Sequence, residues 1–141
     1  MVMAPLRVLL IEDSDDDAAL LSRALARAGY EVATHQVDTA EQLDEALDTH
    51  TFDIAIADHR MPLFSGTRAL DMIRTRGLDL PFMFVSGTIG EEVAIQAMNE
   101  GACDYIVKGD LSRLPAVVER ELHDAARRRE QRLSDEGNND A

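Results

Sequence analysis

The chain predicts a doubly wound α/β fold: five parallel strands in the order 2-1-3-4-5, covered by five helices on two faces. Short apolar runs alternate with helically spaced segments along almost all of its 141 residues. Three of the runs, at residues 6–11, 52–57 and 105–107, end directly on charge: Glu12 with Asp13, then Asp58, then Lys108. In an open parallel sheet the carboxyl ends of the strands share one rim, where ligands bind. Three carboxylates and one amine, far apart in sequence, are therefore expected to meet at one point.

The elements follow in order. Residues 6–11 form the first strand, and Ala18, Leu21, Leu25 and Ala28 space the first helix, which Gly29 stops. Residues 31–37 alternate weakly, as befits a strand near an edge. Thr39 with Gln42 three residues on resembles a capping box, opening a helix with Ala40, Leu43 and Leu47 on one face. The run FDIAIA is nearly all apolar, as expected of a central strand buried on both faces. A loop with Pro62 and Gly66 leads to a helix through Leu70 and Ile73, ended by Gly77. Pro81 introduces the fourth strand, residues 82–85. The fourth helix uses Val93, Ala97 and Met98 and stops at Gly101; residues 103–107 are the fifth strand. Ser112 is placed to cap a last helix with Pro115 in its first turn and Leu114, Val117, Val118 and Leu122 on its apolar face. Five βα units with right-handed crossovers make a flavodoxin-like arrangement.

Composition narrows the function. With 141 residues there is room for one domain and one core, expected over residues 1–133, followed by a disordered polar tail over 134–141. Aromatic residues are only 4%, so the core must be aliphatic. Net charge is −13. Nucleic-acid affinity rests on cations that neutralise phosphates, so neither nucleic acid nor an anionic membrane is the expected partner. Cys103 is the sole cysteine and no run approaches a membrane span. The expected location is cytoplasmic. Arg127, Arg128, Arg129 and Arg132 read as a solvated helix end whose cations favour the macrodipole, with a partner-docking patch as the other reading.

The chemistry of the rim is electrostatic. Ionised carboxylates within about 5 Å repel by roughly 3 kcal/mol per pair at an effective dielectric near 20. A proton or a divalent cation relieves this. Hard oxygen donors, few in number, suit Mg²⁺. Asp13, Asp15, Asp16 and Asp17 look like a calcium loop but lack its glycine and distal glutamate. Asp15 to Asp17 are better read as capping the first helix and satisfying its positive end. His59 stands near the cluster, where a surface or core role outweighs ligation. Lys108 can meet an anionic phosphoryl oxygen as a point cation. Ser86, in V-S-G-T, can donate its hydroxyl to the same group, and Tyr105 lies three residues before Lys108.

The segments V-L-L-I-E-D, D-I-A-I-A-D-H-R-M-P, F-V-S-G-T and D-Y-I-V-K, in this order and spacing, resemble the receiver domain of two-component response regulators over residues 6 to about 126. The resemblance implies that Asp58 is the phospho-acceptor. It implies that Glu12, Asp13 and Asp58 hold Mg²⁺ with the backbone carbonyl of Arg60, that Ser86 and Lys108 contact the phosphoryl group, and that Tyr105 is the aromatic switch. The implied donor is a sensor histidine kinase or a histidine phosphotransfer protein. The implied output is a face made by the fourth helix, fifth strand and fifth helix, open to a downstream protein or a homodimer. The expected molecule is a stand-alone phospho-acceptor or phosphorelay module rather than an enzyme with a substrate of its own. An unphosphorylated pseudo-receiver, acting as an interaction module, is the alternative. Two positions depart from the family pattern: Gly109 replaces the usual cis proline after Lys108, and Ser86 replaces the commoner threonine.

Overall fold

The computed structural model describes residues 4–59, 61, 64–87, 95–96, 98–99 and 101–138. The strands are β1 (Ala4–Ile11), β2 (Tyr30–Val37), β3 (Ile54–Asp58), β4 (Phe82–Ser86) and β5 (Asp104–Val107). They form one parallel sheet in the order β2-β1-β3-β4-β5. The described helices are α1 (Asp15–Arg27), α2 (Ala40–Thr49), α3 (Gly66–Thr75) and α4 (Leu114–Asn138). The expected helix between β4 and β5 falls mostly outside the described residues. Ile95, Gln96, Met98 and Asn99 are helical there, and Met98 is exposed rather than on a buried face.

Strand alternation sorts the core into two layers. Leu6, Val8 and Leu10 of β1, Ile54 and Ile56 of β3, Met83 and Val85 of β4 and Ile106 of β5 meet α1 and α4 through Leu21, Leu25, Leu114, Val117 and Val118. The intervening residues Leu9, Ile11, Ala55, Ala57, Phe82, Phe84 and Tyr105 meet α2 and α3 through Leu43, Ala46, Leu70 and Ile73. The small Ala55 and Ala57 lie beside the bulky Phe82 and Phe84 across the β3–β4 ladder. That pairing lets a sheet without tryptophan fill its second layer. β2 is an edge strand in which only Val37 is buried, matching its weak pattern.

Local signals set the boundaries. Ser14, not one of the aspartates, caps α1 by accepting from the Asp17 N–H. Thr39 caps α2 and accepts from Gln42 N–H, while the Gln42 side chain reaches back to Asp38 N–H, one residue before the cap. Gly29 and Gly77 end α1 and α3 at φ 101 and 73, a region glycine enters without a Cβ penalty. Gly66 opens α3 rather than lying in a loop. A Cβ there would sit 2.6 Å from the Asp58 carbonyl oxygen and 2.7 Å from Phe84 Cε1.

Two expectations change at the C-terminal end. Ser112 does not cap the last helix. Its N–H is taken by Asp110 Oδ1 in a tight turn, and α4 begins at Leu114. The helix then continues to Asn138 where a disordered tail from residue 134 was expected. Gln131 Nε2 donates to Asp135 Oδ1 one turn on, carrying the helix past Leu133. The arginines therefore stand inside a helix, not at its end, and Arg128 and Arg132 both donate to Asp79 in the α3–β4 connection.

The Asp79 carboxyl is held below its ordinary value by hydrogen bonds from Arg128 and then Arg132, against partial burial. A depressed carboxylate stabilises the fold above its unfolded pKa, and that contribution is lost as pH falls through the folded value. Asp79→Asn should cost up to about 1 kcal/mol at pH 7, as for a partly exposed ion pair, and less at pH 3. Urea unfolding of both proteins at the two pH values checks this; an equal deficit at both would contradict it.

Candidate functional site

The alternation that builds the α1–α4 layer continues past the strand ends. Glu12 follows Leu10 by two residues, Asp58 follows Ile56, and Lys108 follows Ile106, so all three inherit the direction of that layer. Glu12 and Asp58 are buried, and Asp13 is exposed at the mouth. One carboxylate oxygen from each of Glu12, Asp13 and Asp58 lies within 4.8 Å of the others.

Lys108 closes this cluster. Its backbone N–H donates to the Ser86 carbonyl at 2.8 Å, tying the loop after β5 to the end of β4. Its Nζ donates to Asp58 Oδ2 at 3.0 Å, Glu12 Oε1 at 3.1 Å and Asp17 Oδ2 at 2.6 Å. Burial works against the Lys108 charge. Its hydrogen bonds to Asp17, Asp58 and Glu12 outweigh it and hold the ammonium above its ordinary pKa. Burial raises the Glu12 carboxyl; repulsion from Asp58 adds to this and the Lys108 hydrogen bond opposes it.

The donor set fits a hard cation. Glu12 Oε2 is buried and, among the described residues, accepts no hydrogen bond, although it lies 3.1 Å from Lys108 Nζ. A buried carboxylate oxygen in that condition is costly unless a proton or a cation meets it. Three carboxylates grouped as here leave coordination positions for water, as Mg²⁺ requires.

The remaining expected residues are placed as follows. Ser86 is buried at the end of β4, beside Val107 of β5. The Tyr105 ring is buried, 5.9 Å from the His59 ring and 6.4 Å from Phe84. His59 lies edge-on to Phe84 at 4.8 Å, an aromatic packing role rather than ligation. Arg60 lies outside the described residues. The peptide bond between Lys108 and Gly109 is trans, and the glycine does not prevent the lysine from reaching Asp58.

Asp17 is the residue that sequence reasoning missed. It reads there as one of three helix-terminal aspartates, while in the structure it makes the shortest of the Lys108 ion pairs. The signal was the shared direction of residues 12, 58 and 108 toward the layer in which α1 lies.

The description "response regulator receiver domain" matches residues 8–119, and the chain belongs to that family, the receivers of two-component signalling. The response regulator protein FleR of Pseudomonas aeruginosa is 36% identical over 102 residues, 72% of this chain and 21% of FleR. The regulatory protein AtoC of Escherichia coli is 33% identical over 118 residues, 82% of this chain and 25% of AtoC. The chain thus spans about a quarter or less of the length of these curated relatives. Among solved structures, a response regulator receiver domain protein from Clostridium thermocellum superposes with a TM-score of 0.72 at 25% identity, over 91% of this chain and 98% of that one. Among the described residues no helix is long and apolar enough to cross a membrane.

A ligand that binds only the folded state raises its unfolding temperature. Millimolar Mg²⁺ should raise the thermal midpoint of the wild type and leave that of Asp13→Asn, an exposed and structurally mild change, nearly unmoved. Equal shifts in the two proteins would remove Asp13 from the cation site.

Proposed function

We propose that the chain is a phospho-acceptor receiver, taking a phosphoryl group on Asp58 from the phosphohistidine of a sensor kinase or phosphotransfer protein. The observation that carries this reading is the Lys108 ammonium 3.0 Å from Asp58 Oδ2, beside Glu12 and Asp13. An anionic nucleophile, a fixed cation and a metal-ready carboxylate group are what phosphoryl transfer needs, since catalysis there is positioning and charge compensation.

A carboxylate oxygen of Asp58 attacks phosphorus in line. The O–P bond forms as the donor N–P bond breaks, and the imidazole leaves with the electron pair. Glu12, Asp13 and Asp58 would hold Mg²⁺, with the Arg60 carbonyl as the further ligand implied by the family. Bound there, the ion would supply positive charge to offset the negative charge developing on the transferring oxygens. Lys108 exchanges its bond to Asp58 for one to a phosphoryl oxygen, and the Ser86 hydroxyl donates to another. Hydrolysis of the acyl phosphate later returns the Asp58 carboxylate and inorganic phosphate. The chain's role is regulatory, with self-assisted phosphorylation and dephosphorylation.

The signal leaves by a two-state surface. The buried Tyr105 ring on β5 connects the rim to that surface, which the fourth expected helix, β5 and α4 would form. A downstream protein or a second copy would bind there.

Incubation with acetyl phosphate and Mg²⁺ followed by intact mass measurement tests the reading. One added phosphoryl group is expected on the wild type and none on Asp58→Asn. No addition from either acetyl phosphate or a histidine kinase would instead identify a folded interaction module.

A further inference from the structure

The aspartates of the first turn of α1 divide their work, and the hydrogen bonds show how. Asp15 Oδ1 accepts from Gln36 Nε2 at 3.1 Å, tying α1 to the edge strand β2. Asp17 occupies the third helical position, where an acidic side chain ordinarily reaches back to the N–H of the cap residue. Here that N–H, of Ser14, is already donated to Glu12 Oε1 at 3.2 Å. The Asp17 carboxylate turns instead to Lys108 Nζ at 2.6 Å. The cap thus frees Asp17, and the backbone bond from Asp17 N–H to Ser14 Oγ at 3.2 Å fixes where its side chain starts.

A lysine ammonium has three N–H donors, and each has a carboxylate partner here: Asp17, Asp58 and Glu12. Two of those partners, Glu12 and Asp58, belong to the group that can hold a cation; Asp17 does not. A metal ion and an incoming phosphoryl group would therefore draw on two of the three anchors of Lys108 and spare the third. Without that third anchor, a strongly hydrated ammonium on a flexible stem has a route to solvent, because the Lys108 side chain is 16% exposed.

We propose that Asp17 is a positioning residue that holds the Lys108 ammonium over Asp58 while metal and phosphoryl group engage Glu12 and Asp58. This rests on the phospho-acceptor reading above. Asp17 touches neither the reacting phosphorus nor the metal; it acts through Lys108. It also gives the first helix a part in the chemistry through Lys108, beyond carrying a cap.

The test has two readouts on the full chain. The first needs no phosphoryl transfer: the Lys108 ammonium is followed by 1H–15N NMR at saturating Mg²⁺. A slowly exchanging resonance is expected in the wild type and in Asp17→Glu, which keeps the carboxylate, and its loss is expected in Asp17→Asn. An identical result in wild type and Asp17→Asn would overturn the proposal. The second is the rate of phosphorylation by acetyl phosphate at saturating Mg²⁺, in a double-mutant cycle with Lys108→Ala. Asp17→Asn should slow the wild type about tenfold, the scale of one charge-assisted hydrogen bond, and change the Lys108→Ala protein less than twofold. An equal loss in both backgrounds would show that Asp17 acts without Lys108 and would sink the idea. Should the wild type accept no phosphoryl group, the phospho-acceptor reading fails by itself, and the NMR comparison still decides whether Asp17 anchors the lysine.

Discussion

At the rim of this sheet one ammonium group meets three carboxylates. Lys108 reaches Glu12 after β1, Asp58 at the end of β3 and Asp17 in α1. Remove that cation and buried negative charges face one another with little water between them, a condition worth about 3–5 kcal/mol when one partner of a buried pair is lost. The site is therefore held together by attraction at Lys108 and opposed by repulsion among its acids. A divalent cation or a phosphoryl group bound there would change that balance directly.

The sheet makes this balance possible. Parallel strands of different length end at one rim, and their strict alternation aims residues 12, 58 and 108 to the same side. The other side carries Phe84, Tyr105 and His59 in edge contact. Charge and aromatic packing are thus separated by one residue of strand register, and Asp58 and His59, adjacent in sequence, serve the two halves. Gly66 adds a constraint from below, since only a hydrogen fits between the start of α3 and the Asp58 carbonyl. Asp58, the proposed phospho-acceptor, is braced by backbone on one side and by Lys108 on the other.

Much of this could be read from residue order. Nearly continuous apolar runs such as FDIAIA announced buried parallel strands, and charges placed directly after three of them announced a rim site. Less legible was anything decided by competition between equivalent side chains. Three neighbouring aspartates look alike in sequence. Which of them leaves the helix cap depends on Ser14 taking the cap and Glu12 taking its N–H. Likewise, four arginines near the end of a chain suggest a frayed, solvated helix. Asp79, about fifty residues away, orders two of them, and the helix runs on to Asn138. Ser112 fails as a cap for the same reason: Asp110 engages its hydroxyl as well as its N–H, and the helix opens two residues on, at Leu114.

Asp58, rather than any of the acids beside it, is the proposed point of attachment of the phosphoryl group. Borohydride reduces an acyl phosphate to an alcohol and leaves free carboxylates alone, so reduction after phosphorylation, followed by peptide mass mapping, reads the position of attachment. The reduced residue is predicted at position 58. Reduction at Asp13, Asp17 or Glu12, with Asp58 recovered intact, would contradict the arrangement on which the rest is built.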